Sequence, residues 1–215
     1  MSVSLDTRPD TESPKRHAVL DAAATLFLAH GYGAVSMDAV AKGAGVSKAT
    51  LYAYFASKDA LFATIVGDGC RAKIEAMDFL AQQSVETPAA LAEVLRQFGL
   101  RMMRFLMRPD TLAIYRIVVS EAARFPELGE AFHQHGPKAF LQTFSDWLQE
   151  LMRAGLLRAA DPDIAAEQFA ALLRGAKFMR ATLGLPIQQD DEAFNRHVEA
   201  VVDTFLRAYG PPCPT

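Results

Sequence analysis

Cysteine, tryptophan and long apolar runs are all scarce in this chain. Of 215 residues only Cys70 and Cys213 are cysteines, and Cys213 stands in a proline-rich tail. No disulfide framework is expected from so distant a pair, and a reducing cytoplasm is favoured. No apolar run reaches the roughly 20 residues that a bilayer-crossing helix needs, so no membrane partner is expected. Residues 1–13 lack the apolar stretch of a secretion signal and read as a disordered arm. The five histidines are scattered. His133 and His135, two apart, cannot share a helix face, and no nearby cysteine or aspartate completes a ligand set. Neither a metal nor another cofactor is expected. No grouping of nucleophile, base and orienting residue can be assembled, so no catalytic residue is expected and an enzyme is disfavoured. Positive charge is short as well: 22 Lys and Arg against 25 Asp and Glu leave a formal net charge of −3.

Helical patterning is abundant. Hydrophobic residues make up 51% of the chain, enough for a substantial core. A first helix is predicted from Pro14 to His30, with Leu20, Ala23, Ala24 and Phe27 on one face and Gly31 after its end. Further helices are predicted over about 58–83, 87–107, 110–123, 161–183 and 191–208. A stretch from Phe125 to Ala154 is predicted to be interrupted at Gly136-Pro137. No strand pair is convincing, and the fold class is all-α.

Residues 36–62 are the densest in meaning. Ser36 can cap a short helix on which Met37, Val40, Ala41 and Ala44 face inward. Gly45 then permits a tight turn, Val46 can fill the angle, and Ser47 can cap a second helix from Lys48 to Tyr54. Leu51 and Phe55, four apart, belong on its buried side. Lys48, Ala49, Thr50, Tyr52, Ala53 and Tyr54 remain around the exposed sides. Lysine can reach guanine edges or phosphate, threonine and tyrosine can bond phosphate oxygens, and alanine can meet a thymine methyl. Free N–H groups and the Lys58 ammonium at the start of the next helix suit a phosphate clamp. Residues 14–60 carry a net charge of +2 in a chain of net −3. The positive charge therefore gathers where the reading helix lies, though weakly.

This stretch closely resembles the TetR family of bacterial transcriptional regulators. The likeness extends upstream through Val19-Leu20-Asp21-Ala22-Ala23-Ala24-Thr25-Leu26-Phe27 to Gly31-Tyr32, so that roughly residues 15–62 are covered. The resemblance implies three N-terminal helices, the second and third forming a helix-turn-helix. It implies that Lys48, Ala49 and Tyr52 meet bases, and that Thr50, Ala53, Tyr54 and Lys58 meet backbone phosphates. Ala49 stands where the family often has Gly, and Tyr54 where it often has His, which bears on the operator read. The candidate DNA face is thus Ser36, Ser47, Lys48, Ala49, Thr50, Tyr52, Ala53, Tyr54 and Lys58. Downstream, Tyr115 to Leu128 resembles the C-terminal domain of the AefR-like branch, whose members are mostly repressors.

The resemblance implies that the remainder binds a twin and a ligand. Four parts are expected: an arm over 1–13, a DNA-binding domain over 14–60, a ligand-binding and dimerisation domain over 61–209, and a tail over 210–215. On the last two long helices, Phe169, Leu172, Leu173 and Met179, with Phe194, Val198, Val201 and Phe205, are candidates for a homodimer interface built as a four-helix bundle. Phe98, Met102, Phe105 and Leu106 are candidate pocket residues, as are Tyr115 and Val119 and, at helical spacing, Phe140, Phe144 and Trp147. Such stripes also make plain core. Arg116, Glu121 and Arg174 are the polar candidates that would orient a ligand. The expected function is a repressor released from a palindromic operator by a small, largely apolar effector. An effector-independent regulator or activator, with the larger domain only a dimer scaffold, is the alternative. A helical enzyme with a vestigial turn motif is a third reading, disfavoured by the missing catalytic grouping.

Overall fold

A computed structural model describes residues 13–68, 78–188 and 190–211. The expected N-terminal arm, Cys70, Cys213, the last residues of the tail and the middle of the helix predicted over 58–83 lie outside the described residues. Among those described, every regular element is helical. They are α1 (Pro14–His30), α2 (Met37–Gly43), α3 (Lys48–Tyr54), α4 (Lys58–Asp68), α5 (Pro88–Leu106), α6 (Pro109–Glu121) and α7 (Pro126–His133). A π-helical segment (Gln134–Lys138) leads into α8 (Ala139–Arg153), followed by α9 (Pro162–Thr182) and α10 (Asp191–Tyr209).

Local chemistry sets most helix starts. Ser36, Ser47, Thr87, Asp161 and Asp190 each accept a hydrogen bond from a free backbone N–H of the turn that follows. Pro14, Pro88 and Pro162 occupy first turns, where a missing N–H costs nothing. Gly136-Pro137 was expected to break the chain between α7 and α8. Instead the backbone widens into the π-helical segment, which takes up an extra residue and keeps Pro137 inside a helix. In α9 the reverse happens. Gly175 adopts φ 46°, ψ −161° and bends a helix that the residue pattern leaves straight. His197 of α10 fills the bend, its Nε2 2.9 Å from the Leu173 carbonyl oxygen.

The chain divides into two compact units. Residues 13–68 and Ile117–Phe132 form one, and the described residues of 69–116 and 133–215 the other. Compactness therefore does not part the chain at residue 60. Leu61 and Phe62 of α4 are buried in the first unit. Its centre is a ring cluster: Phe27, Tyr32 and Phe62 have centroids 5.4–5.8 Å apart, and Phe125 meets Tyr32 at 5.4 Å. Such ring pairs add about 0.5–1.5 kcal/mol each beyond their buried area. In the second unit α9 packs on α8 and α10 on α5, around Phe98, Phe144, Phe169 and Phe205.

Candidate nucleic-acid interface

In the first unit α2 and α3 meet at a turn that needs glycine. Gly45 has φ +65°, and Val46 N–H donates to the Ala41 carbonyl at 3.0 Å, closing the end of α2. Leu51 is fully buried and Phe55 nearly so, which anchors α3 by one side. Burying a leucine side chain is worth about 1.5–3 kcal/mol. The opposite side of the helix faces solvent.

There Lys48, Ala49, Tyr52 and Ala53 form a continuous exposed strip, with Tyr52 44% exposed despite its ring. The Ser47 hydroxyl caps the helix through Thr50 N–H, and the two hydroxyls lie 2.8 Å apart. Thr50 is half-buried, so its hydroxyl sits at the edge of the strip. Ser36 caps α2 in the same manner. Lys48 reaches back across the turn to Asp38, with Nζ 2.8 Å from the carboxylate. That hydrogen bond, and then the attraction of the opposite charge, raises the Lys48 ammonium above its ordinary pKa.

Two expected phosphate contacts take another form. The Lys58 ammonium is turned inward: it donates to the carbonyls of Tyr32 at 2.9 Å and Val35 at 3.1 Å, and lies 4.2 Å above the Tyr32 ring. A lysine at a helix start can snorkel outward or donate to loop carbonyls, and here the loop carbonyls win. Burial lowers its pKa, outweighing the attraction of Asp59, Glu121 and Glu127. Tyr54 is half-buried and donates its hydroxyl to Ser13 Oγ at 2.9 Å, so it is a brace between α3 and the start of α1. Behind both, Tyr32 donates a short hydrogen bond to Asp59. Burial, and next that bond, raise the tyrosine's pKa.

Among the described residues of the second unit, several of the expected pocket side chains pack into the core. Phe98, Phe140 and Phe144 are buried and stack on one another at 4.8–6.2 Å. Met102 is buried with them, while Phe105, Leu106 and Trp147 pack at the core's edge and Tyr115 lies edge-on to Phe178. Val119 and Glu121 belong to the first unit, where Val119 is exposed and a Glu121 oxygen is 3.5 Å from Gly33 N. Arg174 donates to the Ala170 carbonyl of its own helix. Arg116 lines an open cleft of about 370 Å³ between Met107, Leu112 and the Ala181–Ile187 segment. Its guanidinium donates to the Ala181 and Thr182 carbonyls at the end of α9.

The expected dimer surface also divides. Phe169, Leu173, Phe194, Val198, Val201 and Phe205 are buried inside the subunit, because both helices turn their most apolar face to α5 and α8. Leu172 and Met179 are exposed on α9, as are Ile164 in its first turn and Leu183 at its C-cap.

With the geometry in hand, the class is defined: a two-helix DNA-reading module on an all-helical chain. Residues 19–65 match the profile of bacterial regulatory proteins of the tetR family, and residues 93–211 that of the AefR-like transcriptional repressor C-terminal domain. The chain belongs to the TetR family of DNA-binding transcriptional regulators. It is 38% identical to the flavonoid-responsive regulator FrrA, covering 93% of this chain and 98% of that one, with a TM-score of 0.75. A TetR-family structure from Mesorhizobium loti MAFF303099 is 27% identical with a TM-score of 0.79, covering 94% of this chain and all of that one. The HTH-type transcriptional regulator BetI of Rhizobium meliloti (strain 1021) is 28% identical over 93% of each chain. These comparisons meet the expectation of a regulator and not an enzyme. Among the described residues no helix is long and apolar enough to cross a membrane.

Proposed function

We propose that this regulator is a repressor that binds a palindromic operator as a homodimer and leaves it when a small aromatic effector binds. The observation that carries the DNA side is the exposed strip of Lys48, Ala49, Tyr52 and Ala53 on a helix pinned from behind by Leu51. A dimer would offer two such strips one helical turn of DNA apart. The outer side of α9 and its C-cap, where Met179 is 60% and Leu183 67% exposed, is the surface a twin would cover. Exposed Ala200, Thr204 and Ala208 on α10, small and four apart, would allow close helix approach beside it. Such a regulator works on the chromosome, hence in the cytoplasm.

The effector side draws on FrrA, which is flavonoid-responsive, and on the Arg116 cleft. A ligand releases DNA only by binding the two states unequally. The effector-independent reading is favoured by one observation, the burial of the stacked Phe98, Phe140 and Phe144 rings in the core. Gel-shift assays on the duplex upstream of the protein's own gene test both. A shifted band that planar polyphenols release supports the repressor. A band that no compound of a chemically broad set releases favours the scaffold reading, and no shift at all sinks both.

A further inference from the structure

Ten residues before Lys48, in the first turn of α2, Asp38 holds the reading lysine: Nζ lies 2.8 Å from one carboxylate oxygen and 3.1 Å from the other. The two side chains remain 62% and 65% exposed, so this pair contributes little to folding. It has a cost for binding, since a carboxylate on the DNA-facing side repels phosphates and cancels a cation of an already weak positive patch.

We infer that Asp38 and Lys48 act as one reading unit for a G·C pair, which makes Asp38 a specificity-determining residue. This rests on the proposal that α3 enters the major groove. An ammonium beside a carboxylate is a donor set next to an acceptor. Across the major-groove edge of G·C the order is the complement: guanine N7 and O6 accept, and cytosine N4 donates. At an A·T pair the central group is the adenine amino donor, which would face the ammonium and be refused. Held by Asp38, Lys48 is aimed at bases and kept from roaming to the nearest phosphate. Ala49 beside it has no bulk to keep the pair out of the groove.

The experiment measures full-length protein on the upstream duplex, with every base pair of the footprint changed in turn, and on an unrelated duplex. In the wild type one G·C per half-site should be preferred about tenfold or more. Asp38→Asn should erase the preference at that position alone, tighten binding to the unrelated duplex several-fold, and steepen its salt dependence by about one phosphate contact. Lys48→Gln should erase the same preference while weakening binding. Should Asp38→Asn tighten all duplexes equally with every base preference intact, the carboxylate is only a repelling charge and the inference is overturned. A Lys48→Gln preference profile equal to the wild type overturns it from the other side. No footprint from the wild type overturns the DNA-reading proposal itself, and this inference with it.

Discussion

The two units treat their exposed and buried surfaces in opposite ways. In the first, a seven-residue helix and its C-cap keep Leu51 and Phe55 inside and leave a polar strip outside, so each residue's role follows from its place on the helix. In the second, α9 is three times as long and turns large apolar side chains both inward and outward: Phe169 is buried, while Leu172 is exposed. A short helix clamped at both ends has one allowed orientation. A long bent one has two facets, and hydrophobicity alone does not say which of them meets the subunit's own core.

Truncation in the second unit tests that contrast hardest. If Phe98 is core and not pocket wall, Phe98→Ala should cost about 3–5 kcal/mol of unfolding free energy in urea denaturation. A cost below about 1 kcal/mol would mean the ring cluster is loosely packed after all. The first unit should behave differently. Tyr52→Ala should weaken operator binding by about 1–3 kcal/mol, read by fluorescence anisotropy, with the urea midpoint unchanged. A lowered midpoint would show that the strip is not purely a surface.

A third change probes the support beneath the strip. Tyr32→Phe removes the hydrogen bond to Asp59 and should cost about 1 kcal/mol at neutral pH. Its pH dependence carries a sign. The folded state keeps the Tyr32 proton above pH 10, where the unfolded chain loses it, so this group makes stability fall as pH climbs past 10. Lys58, depressed by burial, acts oppositely, since the unfolded chain holds its proton to higher pH. Urea midpoints at pH 8 and above 10 should therefore fall less in Tyr32→Phe than in the parent, and an equal fall would remove Tyr32 from the account. The smallest expected effect on stability is at the outer face of α9. Met179→Glu should change subunit stability by no more than about 0.5 kcal/mol, yet weaken self-association in sedimentation velocity. An unchanged sedimentation profile would place the twin elsewhere.

What the sequence made legible was local. Caps at Ser36 and Ser47, the glycine turn and the Leu51–Phe55 spacing are all written within a few residues, and the helix-turn-helix follows from them. The inward turn of Lys58 was not readable, because it depends on carbonyls of Tyr32 and Val35 more than twenty residues away. The Asp38–Lys48 pair crosses a turn that no helical period spans, so spacing alone does not bring Asp38 to the strip. The stripe of Phe140 and Phe144 is equally good core or pocket wall on spacing, and the rings facing it on α5 and α9 are tertiary contacts that spacing does not carry. In α9 the bend at Gly175 shifts the phase on which any assignment of faces relied.

That bend gives α9 an unusual weak point. A straight helix frays from its tips, but here the ladder is broken in the middle and one turn leans on a histidine borrowed from a neighbour. Deuterium should therefore enter α9 near residues 175–178 before it reaches the turns on either side, and faster once His197 is replaced by alanine.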